Sequence, residues 1–299
     1  MRILVFGAGA IGSLLAGLLS RENEVTMVAR KPHVDAVNRQ GLRISGLTTL
    51  LAWPTAAADA PSTEFDVVFV ATKAYDTTAA VEALRAFWRH SVFVTLQNGL
   101  GNAETLAAKT DRVIAGTTTH GVTFVAPGEI VHAGAGDTMI GPWKGVKSKD
   151  ADLIARMLTA SGIATSVTDD VRQELWGKAL VNAAINPLTA VLRRSNGELV
   201  RNDDLRALAE RIVREGTVAA AHAGVVLDAD ATVRRALDVA HRTAENRSSM
   251  LQDIEHGHRT EVEAITGAIL RAAGADPMPY NHTVYALVRG LEGRPRAPL

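Results

Sequence analysis

Hydrophobic positions in the first third of the chain come in short continuous runs. "RILVF" (2–6), "EVTMVA" (24–29), "DVVFVAT" (66–72) and "SVFVTL" (91–96) are β-branched and bounded by turn residues. Runs this apolar suit strands buried on both faces, as in a parallel sheet covered by helices. Amphipathic stretches such as "SLLAGLLSRE" and "TTAAVEALRAFW" lie between them, and this alternation predicts a doubly wound α/β domain. From Gly121 to Pro142 apolar and polar positions alternate between Pro-Gly and Gly turns, which predicts antiparallel strands appended to the same sheet. After about residue 168 the period changes to that of helices. "DDVRQELWGKALVNAAINPLTAVL", "DDLRALAERIVREGTVAAAHAG", "ADATVRRALDVAHRTAE" and "TEVEAITGAILRAAG" follow one another with Asp170, Asn202 and Thr260 as N-caps and Gly224 and Gly274 as stops. The expected organisation is an α/β domain over 1–168 and an all-helical domain over 169–299, with "GRPRAPL" (293–299) as a loose end.

Composition narrows the function classes. The 299 residues suffice for two domains of ordinary size. The 32 basic and 32 acidic residues cancel and no basic run occurs, which argues against nucleic acid or a membrane surface as partner. The absence of cysteine excludes disulfides, thiolate zinc sites and a cysteine nucleophile. The nine histidines are scattered, and His256 with His258 sits in a Gly-flanked turn without further ligands, so no metal site is expected. No apolar run is long enough to span a bilayer, and "MRILVFGAGAIG" enters a strand directly without a signal-peptide pattern. A cytoplasmic protein acting on small molecules is the expectation. Oligomeric state is left open, a homodimer included.

Gly7, Gly9 and Gly12 form G-x-G-x-x-G, with Ala8, Ala10 and Ile11 between them. The pattern alone is weak, but here it follows a strand and opens an amphipathic helix. In that context it reads as the pyrophosphate turn of a Rossmann-type dinucleotide site, against the plainer reading of a tight βα turn. An NAD site would place a carboxylate at the end of the second strand to hold the ribose 2′-hydroxyl. This strand ends in Arg30, followed by Lys31. A guanidinium there pairs with a 2′-phosphate, so NADP is expected, the alternative being a surface arginine. Lys73 closes the third strand and Asn98 follows the fourth in "VTLQNGLGN". Both stand at carboxyl ends of strands, where open α/β sheets bind ligands, although a helix-start lysine and an ordinary turn read equally well.

"KALVNAAINPLTA" (178–190) carries Lys178, Asn182 and Asn186 in otherwise apolar surroundings. At about 100° per residue the three side chains spread over about 80° of arc, so they share a helix face. Pro187 removes a backbone hydrogen bond beside Asn186 and should bend the helix there. The stripe is either a solvated edge or the wall of a site.

These stretches together resemble the ketopantoate reductase (2-dehydropantoate 2-reductase) family nearly end to end. The matching blocks are "GAGAIG", the arginine closing strand two, "TKAYDT", "LQNGLGN", "GTTTHG", "ELWGKALVNAAINPLTA", "NGEL" and "ENRSSMLQDIEHGHRTEVEAITG". The resemblance implies NADPH-dependent reduction of 2-dehydropantoate to pantoate, on the route to pantothenate and coenzyme A, with substrate between the two domains. Carried over by position, it implies Lys178 as catalytic lysine, Glu261 as its support, and Asn182, Asn186 and Ser249 as substrate contacts. It further implies Asn98 beside nicotinamide and substrate, and Arg30 and Lys73 on the cofactor. Two positions depart from the pattern: Glu263 in place of Asp, and Thr266, in "ITG" rather than "ING".

On this reading Lys178 stabilises the forming alkoxide and protonates it. Thr260-x-x-Glu263 reads as a capping box, which gives Glu263 a structural task and leaves Glu261 to hold Lys178. Ser249-x-x-Gln252 reads equally as a cap or as a substrate contact. His120 and His132 are expected to be structural. Two competing functions stay open: an NADP-dependent reductase of another small 2-oxo acid, and a non-catalytic NADP-sensing regulator. The regulator would be expected to lack the lysine or an amide of the stripe, and none is lacking.

Overall fold

The computed structural model describes residues 1–292, so the expected loose end at 293–299 lies outside the described residues. Two compact units make up the chain. One comprises residues 1–97 and 102–171, and the other residues 98–101 together with the chain from 172 onward.

In the first unit the strands are β1 (Arg2–Phe6), β2 (Glu24–Val28), β3 (Leu42–Gly46), β4 (Leu50–Ala52), β5 (Thr55–Ala57) and β6 (Val67–Val70). They continue as β7 (Val92–Thr95), β8 (Val113–Thr118), β9 (Gly121–Ala126), β10 (Glu129–Gly134), β11 (Thr138–Lys144) and β12 (Thr165–Val167). Eight of them form one sheet in the order β12-β11-β8-β7-β6-β1-β2-β5, parallel throughout except where β11 runs antiparallel to β8. β6 and β7, "VVFV" and "VFVT", are buried at every position, as their unbroken apolar runs require. The helices of this unit are α1 (Ala10–Leu19), α2 (Lys31–Gln40), α3 (Thr77–Ala83), α4 (Asn102–Ala107) and α5 (Ser148–Ala160).

The segment from Gly121 to Pro142 departs from expectation. Only β11 joins the large sheet; β9 and β10 build a second one with β3 and β4, in the order β4-β3-β10-β9. The cause lies in α1, which is buried from Gly12 to Leu19 all the way round. A helix without a polar face needs cover on both sides. A methyl group at Gly17 would lie 2.6 Å from the Ile44 side chain on β3, so the second sheet provides that cover at close range.

The second unit is helical: α6 (Val171–Leu192), α7 (Glu198–Arg201), α8 (Asp203–His222), α9 (Ala229–Arg242) and α10 (Ser249–His256). A π-helical turn over Glu263–Gly267 then runs into α11 (Ala268–Ala273), followed by α12 (Pro279–Glu292). Leu180, Ile185, Ile212, Val213, Val262, Ile265 and Val288 lie in its core. Asn202 caps α8 by accepting from the amides of Asp204 and Leu205 at 3.0 and 3.1 Å. Gly224 and Gly274 take positive φ, +79° and +62°, beyond α8 and α11.

Two capping readings are corrected. Thr260 does not form a box with Glu263. Its amide and hydroxyl both donate to Glu292 on α12, at 2.8 and 2.7 Å, and Glu263 binds Tyr285 and Arg271 instead. The cap of α10 is Ser248, whose hydroxyl accepts from the Leu251 amide at 3.1 Å and meets Thr189 Oγ1 at 2.7 Å. Ser249 is thereby released from the capping role and stands exposed on the first turn.

Candidate active site

The glycine loop between β1 and α1 has separate reasons for each glycine. Gly7 has φ +101° and a methyl group there would lie 2.5 Å from the Thr72 amide nitrogen. At Gly12 it would lie 2.3 Å from the Gly7 carbonyl oxygen, so this glycine lets the helix start against the loop. Gly9 has open space where its side chain would be, and as N-cap of α1 it supplies no side-chain acceptor. An uncapped helix N-terminus facing open space is what a pyrophosphate needs, because its oxygens can take the first-turn amides. Arg30 is exposed and is the N-cap of α2, immediately beyond β2. Lys31 beside it forms an exposed pair with Asp35 at 2.9 Å. Lys73 closes the turn after β6 and heads a short 3-10 helix over Ala74–Asp76. The residues therefore fit a dinucleotide: first-turn amides and glycines that leave room for a pyrophosphate, and an exposed guanidinium just beyond β2.

In the second unit α6 carries the polar stripe. Its neighbours Trp176, Ala179, Leu180, Val181, Ala183 and Ala184 are buried, while Lys178 and Asn182 are half-buried and Asn186 is 6% exposed. Neither asparagine side chain has a hydrogen-bond partner among the described residues. The amide groups of both residues are left available to a polar ligand on the same face as Lys178.

Glu261, 7% exposed, precedes the π turn. Its Oε2 accepts from Asn98 Nδ2 at 3.4 Å. That contact exists because residues 98–101 dock on the π turn: the Leu100 amide donates to the Ala264 carbonyl at 2.8 Å. Gly99, at φ +83°, approaches so closely that a methyl group would lie 2.6 Å from the same oxygen. π turns recur at functional sites, and here one receives the Asn98 loop. Thr266 lies in that turn, fully buried, with no partner for its hydroxyl among the described residues.

The electrostatics centre on Lys178. Burial pushes its ammonium down from 10.5 to about 8; the Glu261 carboxylate opposes that fall, and the Arg235 guanidinium adds to it. Arg235, on α9, reaches back to Glu174 on α6 at 3.4 Å. A lysine that titrates near neutrality gives up and regains a proton more readily than a solvated one. The arrangement can thus donate a proton beside two amides that orient a polar ligand.

Residues 3–145 match the family model described as ketopantoate reductase PanE/ApbA, and residues 170–292 match its C-terminal counterpart. The chain belongs to the ketopantoate reductase family. It is 41% identical over 297 residues to a 2-dehydropantoate 2-reductase of Archaeoglobus fulgidus, covering 97% of this chain and 98% of the relative. A crystal structure of a ketopantoate reductase from Ralstonia eutropha superposes with a TM-score of 0.88 at 32% identity, over 98% of both chains. A D-mandelate dehydrogenase solved with NADH and anilino(oxo)acetate shares the fold, with a TM-score of 0.93 at 24% identity over 98% of both chains.

Within this ketopantoate reductase family member, the second unit contains Asn98, Lys178, Asn182, Asn186, Ser249 and Glu261, and the first contains Arg30, Lys73 and the glycine loop. Sequence reasoning missed Ser13, His33, Arg235 and Ala264. His33 left one faint signal, a lone histidine one turn after Arg30. Ala264 left none, since a backbone carbonyl freed by a π turn has no side-chain signature. Among the described residues no group of three or more His, Cys, Asp or Glu could hold a metal ion.

Proposed function

We propose that this protein is an NADPH-dependent 2-dehydropantoate 2-reductase. The observation that carries the reading is the α6 stripe, where Lys178 titrates near neutrality beside two amides without partners among the described residues. When bound, the reduced nicotinamide supplies hydride to the 2-oxo carbon. The carbonyl oxygen then gains an electron pair, and Lys178 stabilises that charge and delivers its proton there, giving the 2-hydroxy acid. Glu261 holds the ammonium by charge, and Asn98 is tied to Glu261. Asn182 and Asn186 orient the substrate's hydroxyl or carboxylate without adding charge, with Ser249 as a further contact. Arg30 and Lys73 hold the nucleotide, Arg30 on the 2′-phosphate. The reading places the activity in the cytoplasm; no helix of the described residues is long and apolar enough to cross a membrane.

The test is NADPH oxidation, followed by absorbance, with 2-dehydropantoate against a panel of other 2-oxo acids. The expected result is a kcat/KM for 2-dehydropantoate well above the rest. A higher value for another 2-oxo acid reassigns the substrate, and Thr266 is then the first residue to exchange. NADPH binding without oxidation by any member would make the protein a sensor.

A further inference from the structure

Three pieces of the nucleotide unit meet at one histidine. His33, on the first turn of α2 and 4% exposed, accepts a hydrogen bond at Nδ1 from the Gly128 amide at 2.8 Å. With Nδ1 accepting, the ring proton sits on Nε2 and donates to Ser13 Oγ at 3.1 Å. The Ser13 hydroxyl in turn donates to the Ala8 carbonyl at 3.2 Å, inside the glycine loop. The relay runs in one direction from the β9–β10 turn, through α2, to the pyrophosphate cradle. Burial keeps the ring neutral by lowering its pKa to about 4, so the acceptor at Nδ1 persists at ordinary pH.

Among the described residues Arg30 has no comparable anchor of its own. It is the N-cap of α2 without a side-chain cap bond, and its carbonyl accepts from the amides of His33 and Val34 at 2.9 and 3.2 Å. Among the described residues Lys31 reaches only Asp35, on the same helix. Pro32 has no amide proton to offer. Among the described residues, the hydrogen bonds joining the side chains of this first turn to neighbouring elements are those of His33.

We propose that His33 is a positioning residue for cofactor selection, holding the first turn of α2, and Arg30 with it, in register with the glycine loop. A guanidinium selects a 2′-phosphate only if it stands at a fixed distance from the place where the pyrophosphate is gripped. The relay through Ser13 to Ala8 sets that distance. The proposal rests on the reading of Arg30 as the 2′-phosphate partner.

The experiment measures binding of NADP⁺ and of NAD⁺, which differ only in the 2′-phosphate, by calorimetry, with thermal melting to confirm folding. The proteins are the wild type, Arg30→Ala, His33→Ala, His33→Gln, His33→Asn, Ser13→Ala and the His33→Ala/Ser13→Ala double variant. His33→Ala should weaken NADP⁺ about tenfold, the loss of one ordering hydrogen bond, while NAD⁺ changes little. His33→Gln keeps a donor near the Nε2 position and should restore the preference. His33→Asn keeps only the acceptor and should not. Ser13→Ala should match His33→Ala, and the double variant should be no worse than either, since both cut one relay. If Arg30→Ala retains the preference for NADP⁺, the reading of Arg30 is wrong. If Arg30→Ala loses it while His33→Ala weakens both ligands equally, or neither, His33 is merely structural. Should His33→Ala fail to fold, equal discrimination by the Gln and Asn variants overturns the proposal and a difference in favour of Gln supports it.

Discussion

The pKa of Lys178 makes the catalytic assignment quantitative. At about 8, against 10.5 in water, the ammonium is held by a balance of burial and Arg235 on one side and Glu261 on the other. With saturating substrates, turnover in the reductive direction should be flat below pH 7. It should fall through an apparent pKa near 8, leaving about a tenth of the plateau one unit higher. Glu261→Gln removes an attractive charge and should move that limb down by about one unit, the usual scale for a close ionic neighbour. At pH 8 the variant would then be about a tenth protonated instead of half, a loss of roughly fivefold. Arg235→Met removes a repulsive charge and should move the limb the other way. The same displacement affects stability. Because the folded state binds fewer protons than the unfolded state between pH 8 and 10.5, stability should rise with pH across that window. A shift of that size amounts to about 3 kcal/mol, carried as a penalty below pH 8. Lys178→Met should remove the penalty and lower turnover about 10²- to 10⁴-fold. The measurements are pH–rate profiles for the three enzymes, with denaturant titrations at pH 7 and 10 for wild type and Lys178→Met. A limb that stays put in both charge variants, or moves in the same direction in both, refutes the assignment of Lys178 as proton donor.

Asn182→Ala and Asn186→Ala should each raise KM for the 2-oxo acid about fivefold, near 1 kcal/mol, with the NADPH dissociation constant unchanged. Normal kinetics in both would return the stripe to a solvated edge. Gly99→Ala should depress turnover more than Gly101→Ala. Both glycines have positive φ, but only at Gly99 does a methyl group meet Ala264, so the difference reads the docking contact free of backbone strain. Acid should weaken the first unit through His33. The folded ring resists protonation down to about pH 4 while the unfolded one charges near 6.5. Stability is therefore intact above 6.5 and falls by about 3 kcal/mol toward pH 4, a loss that denaturant titrations should find missing in His33→Gln.

The sheet strands at 2–6, 24–29, 66–72 and 91–96 were readable because each is a continuous apolar run with turns at both ends. β4, β5 and β12, at three residues each, fall below any periodic signal. The sheet that β9 and β10 would join was not readable, since it depends on the cover that α1 requires. The two capping errors differ in origin: on α10 the cap lies one residue earlier, at Ser248, a slip between adjacent serines. Thr260 sees Glu292, 32 residues further on, and local spacing cannot reveal a partner that distant. The α6 stripe was legible from spacing because a helix converts sequence distance into direction. Its electrostatic setting was not, because Glu261 and Arg235 reach Lys178 through tertiary packing.

The four residues 98–101 belong structurally to a body that is otherwise made from residue 172 onward. On a ribosome adding ~5–20 residues per second, Asn98 is made roughly 10–30 s before Glu261, 163 positions later. The helical unit therefore has to finish around a segment delivered long beforehand, and a fragment beginning at Arg172 would present the Ala264 carbonyl with no Leu100 amide to receive. Cutting the gene at the apparent border between the halves would part Asn98 and Leu100 from Glu261 and Ala264 rather than separate two modules, which ties the inheritance of one half to that of the other.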